Sequence, residues 1–196
     1  RQSGWPVWTA NAFPYGGFHD KRVKEKSFLP DWSSAARLEY TCQVADLLAK
    51  LMPPGSSGSI STCPLGYGGN LLQNASVLTH LAAAEAHLQR LQQEQGVHLV
   101  LSLEPEPDGA FERVSTLCAW LEQHFPQSPF LGVCWDLCHG AVVQESPEEA
   151  VEALAQTGTR CGKVQISAAL LLSSFADPKV APLLTSLAND PWLHQC

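Results

Sequence analysis

Basic residues are scarce in this chain: 12 Lys and Arg stand against 19 Asp and Glu in 196 residues, a formal charge of -7 with a pI near 5.4. No positive field draws a phosphate backbone, which argues against nucleic acid as a partner. No apolar run approaches the roughly 20 residues of a spanning helix, so membrane insertion is not expected. Methionine occurs once, at Met52, and the chain opens on Arg1 without a charged-then-apolar leader. It reads as an excerpt of a longer protein, truncated at both ends, and not as a mature secreted chain. Phosphate-binding glycine motifs are missing too: neither G-x-G-x-x-G nor G-x-x-x-x-G-K-[ST] occurs, and Gly66 and the Gly68-Gly69 pair read as loop. The absence of a G-x-S-x-G elbow argues against serine hydrolysis.

Cysteine is present in an odd number, seven, and several lie inside apolar runs where Cys packs as a small hydrophobe. Reduced thiols in a cytoplasmic protein are the expectation. Cys134 and Cys138 frame Cys-Trp-Asp-Leu-Cys-His, a spacing that suits neither a redox pair nor a zinc knuckle.

Short β-prone runs at residues 7–13, 59–65, 97–103, 130–136 and 163–167 alternate with helical patterns at 35–51, 71–95, 111–124, 147–156 and 178–187. Asp31, Ser33 or Ser34 is placed to cap the first helix, Gly96 to close the second, and Ser146-Pro147-Glu148-Glu149 to open the fourth. A strand-helix repeat with near-continuously apolar strands predicts a parallel sheet in a single α/β domain over residues 1–196. The polar residues decide between open sheet and barrel. Asn11, Ser61 and Thr62, Glu104, Asp136 with His139, and Gln165 with Ser167 all fall at C-terminal strand ends. That distribution is the mark of a (β/α)8 TIM barrel, whose active site is assembled from several strand ends. About five βα units are legible where a barrel has eight, so an incomplete barrel is expected.

Glu104, Asp136, His139 and Gln165 form the leading constellation, since carboxylates, an imidazole and an amide oxygen are donors for one divalent ion of the Mn, Mg, Zn or Co type. Pro105 and Pro107 stiffen the loop that follows Glu104. The plainer alternatives are that Glu104 is a solvated loop acid, Asp136 a helix cap, and Gln165 a partner of neighbouring backbone. A long loop after Asn11, rich in Gly and aromatics, carries His19, Arg22 and Lys24, which either contact an anionic or polyhydroxyl substrate or sit in water. Asn11, His19, Lys24 and Thr62 are the candidate substrate-binding residues.

The segments TANAFPYGGFH (9–19), RVKEKSFLPDW (22–32), RLEYT (37–41), GSISTCPLGY (58–67), LEPEPDG (103–109), CWDLCH (134–139) and KVQIS (163–167) together resemble the EboE-type metabolite traffic proteins. These belong to the xylose-isomerase-like TIM-barrel group of sugar and sugar-phosphate isomerases and epimerases. The resemblance implies a barrel with Glu104, Asp136 and Gln165 as metal ligands and His139 beside the substrate or metal. Gln165 stands where the sugar epimerases usually carry His, and the group's final Glu would lie beyond Cys196. The implied reaction is proton transfer next to a carbonyl on a small polyhydroxyl metabolite, with Glu104 as one acid-base carboxylate and His139 beside it. A non-catalytic metabolite-binding or traffic protein on the same barrel is the alternative that the family association supplies. Phosphodiester cleavage on this fold is disfavoured by the acidic balance.

Overall fold

In the computed structural model the described residues are 6–16, 24–169, 171, 174 and 177–187. Five strands, β1 (Thr9–Asn11), β2 (Ser57–Thr62), β3 (His98–Leu103), β4 (Leu131–Asp136) and β5 (Arg160–Gln165), pair in parallel in sequence order. Among the described residues the helices are α1 (Lys24–Ser27), α2 (Ala35–Leu51), α3 (Ala75–Gln95), α4 (Val114–His124), α5 (Leu137–Val142), α6 (Pro147–Thr157) and α7 (Val180–Leu187).

Parallel pairing demands a crossover between neighbouring strands, and α2, α3, α4 and α6 supply it. Ser34 caps α2, Gly96 ends α3 in the left-handed conformation at φ 67°, and Ser146 with Glu149 completes a capping box on α6. The helix expected from residue 71 begins later. A 3-10 turn covers Gly69–Leu71, and the Asn74 side chain then caps α3 by accepting from Ser76 N. Two short helices, α1 and α5, were not foreseen, since one or two turns carry too little periodicity to register.

Side chains alternate between two very different faces. Ile60, Leu99, Leu101, Leu103, Leu131 and Val133 point outward and join Leu48, Leu81, Leu88, Leu117 and Leu121 of the helices in the core. The inner face carries Thr9, Ser59, Ser61, Ser102, Cys134, Lys163 and Gln165 by strand register. β2, β3 and β4 are largely buried on both faces, but the inner one mixes Val100 with polar residues, so the near-continuous apolar pattern is confined to the outer face.

The sheet curls around that polar face. In a flat sheet β2 and β5, separated by β3 and β4, would lie about 14 Å apart at about 4.8 Å per strand. Instead Lys163 Nζ on β5 donates to Ser61 Oγ on β2 at 3.2 Å. The architecture is therefore an α/β half-barrel with helices outside and a concave lumen. No described helix is long and apolar enough to cross a membrane. Cys42, Cys63, Cys118, Cys134, Cys138 and Cys161 are free thiols.

One buried carboxylate outside the lumen holds a helix in place. Glu145 accepts from Val114 N at 2.8 Å, Ser115 N at 2.9 Å and Ser115 Oγ at 2.7 Å, capping α4 from 30 residues away. A negative charge there also complements the helix dipole. Glu145→Ala is expected to cost about 2–4 kcal/mol in urea unfolding, because buried N–H donors lose their acceptor and water has little access. A loss below about 0.5 kcal/mol would show that the cap is dispensable.

Candidate functional site

Glu104 leaves β3 one residue past the strand, and its backbone N donates to Thr62 O at 2.9 Å, which continues the β2–β3 ladder. The extended register sends its side chain to the lumen beside Asp136, the last residue of β4. Asp136 is at the same time the N-cap of α5: Oδ1 accepts from Cys138 N at 2.8 Å and His139 N at 3.4 Å. Ser167 Oγ donates to the same oxygen and itself accepts from Cys138 N at 2.8 Å. The cap and the site acid are one residue, so the two readings of Asp136 are compatible.

The cap turns α5 so that His139, three residues on, falls against Glu104. His139 Nδ1 lies 3.1 Å from Pro105 O and 3.7 Å from Glu104 Oε1. A carbonyl oxygen only accepts, so the neutral ring carries its proton on Nδ1 and leaves Nε2 as the lone-pair nitrogen. Gln165, at the end of β5, closes the group: its Nε2 donates to Glu104 Oε1 at 2.6 Å and to Asp136 Oδ2 at 2.9 Å. Glu104, Asp136, His139 and Gln165 therefore converge, from three successive strand ends, on one point.

Glu104 is 5% exposed. Its Oε2 accepts no hydrogen bond of ordinary geometry, although the Cys134 thiol lies beside the carboxyl. Burial, reinforced by the charge of Asp136, raises the Glu104 pKa from 4.5 to about 7, while Gln165, Lys163 and Cys134 pull in the opposite direction. Burial also pushes the Cys134 thiol far up, which leaves it inert as a nucleophile.

The raised pKa makes stability depend on pH. Folding lifts this acid above its unfolded value, so between pH 4.5 and about 7 the folded state holds a proton the unfolded state has lost. Stability then falls as pH rises through that window, by roughly 3 kcal/mol when chelator keeps cations away, and is flat below it. Urea midpoints across pH 4–8 with chelator present should show the decline, and Glu104→Gln should abolish it. A wild-type profile that rises over the same range would contradict the placement of Glu104.

The donor set suits a hard or borderline divalent cation. Glu104, Asp136 and His139 each offer a ligand atom, all within 4.8 Å of one another. One feature of the chain fits such an ion: the buried Glu104 Oε2 lacks a hydrogen-bond partner. Gln165 belongs to the same cluster but presents its NH2, and its oxygen would face the acids only after the amide turned over.

Of the other expected binding residues, Thr62 and Asn11 bond elsewhere. Thr62 is fully buried on the outer face, in register with Leu103, and its Oγ1 accepts from Trp32 Nε1 at 3.2 Å. Its neighbour Ser61 is the hydroxyl that reaches the lumen. Asn11 ends β1 in register with Ser61, and its Oδ1 accepts from Phe13 N at 2.9 Å, which shapes the turn leaving the strand. Lys24 begins α1, but its side chain, like all of His19 and Arg22, lies outside the described residues. Lys163, whose sequence context marks it only as a strand residue, is a further member of the lumen.

No family model matches the chain and no curated protein matches it. Among solved structures it is similar to the apo form of 3-keto-D-glucoside 4-epimerase, YcjR, from E. coli. That protein is a sugar epimerase. The likeness covers 100% of this chain and 81% of that one, at 15% identity and a TM-score of 0.47.

Proposed function

We propose that the chain is part of a (β/α)8 barrel of the xylose-isomerase-like, EboE type that isomerises or epimerises a small polyhydroxyl metabolite, a sugar or sugar phosphate, with the help of one divalent cation. The observation that carries this reading is geometric: a buried carboxyl whose Oε2 lacks a partner lies in a polar lumen, grouped within 4.8 Å with a second acid and an imidazole.

Glu104 removes a proton from the carbon next to a carbonyl and returns it. Asp136, fixed by the α5 N–H groups and Ser167, keeps its charge in place, and Gln165 holds both carboxyls in register. When bound by Glu104, Asp136 and His139, a Mn, Mg, Zn or Co ion would polarise the carbonyl and stabilise the negative charge that develops. One carboxyl on one face is enough to move a proton between adjacent carbons, which is isomerisation. Inversion at a single carbon takes a second acid-base group on the opposite face.

The test is wash-in of solvent deuterium. In D2O, ketoses or ketose phosphates of four to six carbons should gain deuterium next to the carbonyl, read by NMR, when Mn2+ is supplied. Tight binding of a sugar with no exchange across the panel would favour the second reading, a barrel that binds and hands over a metabolite. A specific observation supports that alternative: the Gln165 amide already bridges the two acids with hydrogen bonds.

A further inference from the structure

We propose that Lys163 binds a negative charge on the ligand, so that the site takes polyhydroxyl acids in preference to neutral sugars; this rests on the polyhydroxyl reading above and adds the substrate class. The first observation is a break in strand register. Val133 pairs with Cys161 and Cys134 with Lys163, which leaves Gly162 as an extra residue on β5. In a regular strand Lys163 would share the outward face of Cys161. The bulge puts Lys163 and Gln165 on the inner face instead, the kind of re-aiming that bulges beside functional sites produce.

Glycine is needed at the bulge for close approach. A Cβ on residue 162 would lie 2.3 Å from Ser102 Oγ and 2.8 Å from Val100 Cγ1, both on β3. The backbone of β5 thereby presses onto the inner face of β3 and brings Lys163 across to Ser61.

The second observation is what the ammonium does there. Lys163 is half-buried, and among the described residues its ammonium makes one hydrogen bond, to Ser61 Oγ. No described carboxylate lies within ion-pair distance, although its charge acts on Glu104 and Cys134. An ammonium has three donors, so two remain for a ligand. Placing a cation in a half-buried lumen is costly unless it is matched. When a divalent ion is held by Glu104 and Asp136, their two charges are balanced, and the charge of Lys163 is left to be matched by the ligand. A carboxylate or an equivalent monoanion on a polyhydroxyl chain supplies that match.

The experiment is calorimetric titration of the full chain with matched four- to six-carbon alditols and aldonates, which differ only in one terminal group. With Mn2+ present, at least one aldonate is expected to bind about tenfold or more tightly than its alditol. Lys163→Met should bring that ratio close to one, and Lys163→Arg should retain the preference. Circular dichroism of both variants secures the fold. An aldonate preference that survives Lys163→Met would assign it to the metal ion and overturn the proposal. Alditol binding without any aldonate preference in the wild type overturns it alone, and failure of every alditol and aldonate to bind overturns it together with the polyhydroxyl reading.

Discussion

Glu104→Gln is expected to lower the deuterium wash-in rate by about 10²–10⁴-fold, the usual contribution of a positioned acid-base group. The substitution keeps the shape of the side chain, and its amide oxygen can still accept from Gln165 Nε2, now 2.6 Å from Glu104 Oε1. What it removes is the carboxylate, which is both the acid-base group and one of the charges offered to the cation. It also removes the penalty of ionising a buried acid beside Asp136, so above neutral pH the variant should be at least as stable as the wild type. Activity and stability then move in opposite directions. Loss of both together would mean that the carboxyl serves the fold instead of proton transfer, and an unchanged rate would remove Glu104 from the chemistry.

The largest loss of stability is expected from Arg37→Ala, about 3–5 kcal/mol in urea unfolding. Arg37 on α2 is completely buried. Its Nε donates to Pro30 O at 2.7 Å, and Nη1 to Ala12 O at 2.7 Å and Phe13 O at 2.8 Å. One guanidinium thus gathers the loop leaving β1 and the loop entering α2. Alanine would leave those carbonyls without donors and open a cavity, whereas lysine, a single point charge, could not serve both loops with the same geometry. Edge-to-face contacts of Phe28 with Phe13 at 5.1 Å and with Tyr67 at 5.5 Å depend on the same loops. Should Arg37→Ala cost less than about 1 kcal/mol, the aromatic contacts would be the stronger tie.

Much of the site was legible in the sequence because polar residues interrupt apolar strands where the strands end. Glu104, Asp136, His139 and Gln165 each sit at such a break, and the structure brings all four together. Hidden from the sequence were features that depend on strand phase. Thr62 and Ser61 are adjacent hydroxyls, and a period of two sends one to the core and the other to the lumen. Lys163 faces the lumen only because Gly162 bulges, and nothing in Arg160-Cys-Gly-Lys163 marks the bulge except a glycine. Arg37 and Glu145 reach backbone partners more than twenty residues away in sequence, and no local pattern could pair them. The helical units, by contrast, carried their own punctuation in Ser34, Gly96 and Ser146.

Elemental analysis of the protein purified without chelator, beside Asp136→Asn, tests the metal site at the centre of this account. Asparagine keeps the size of the side chain and an oxygen for the α5 N–H groups, yet removes the charge a cation requires. The expected result is about one divalent ion per chain in the wild type and its loss in the variant, with both folded. Equal metal content in the two folded proteins, or none in either, would contradict the proposed cation site on Glu104, Asp136 and His139.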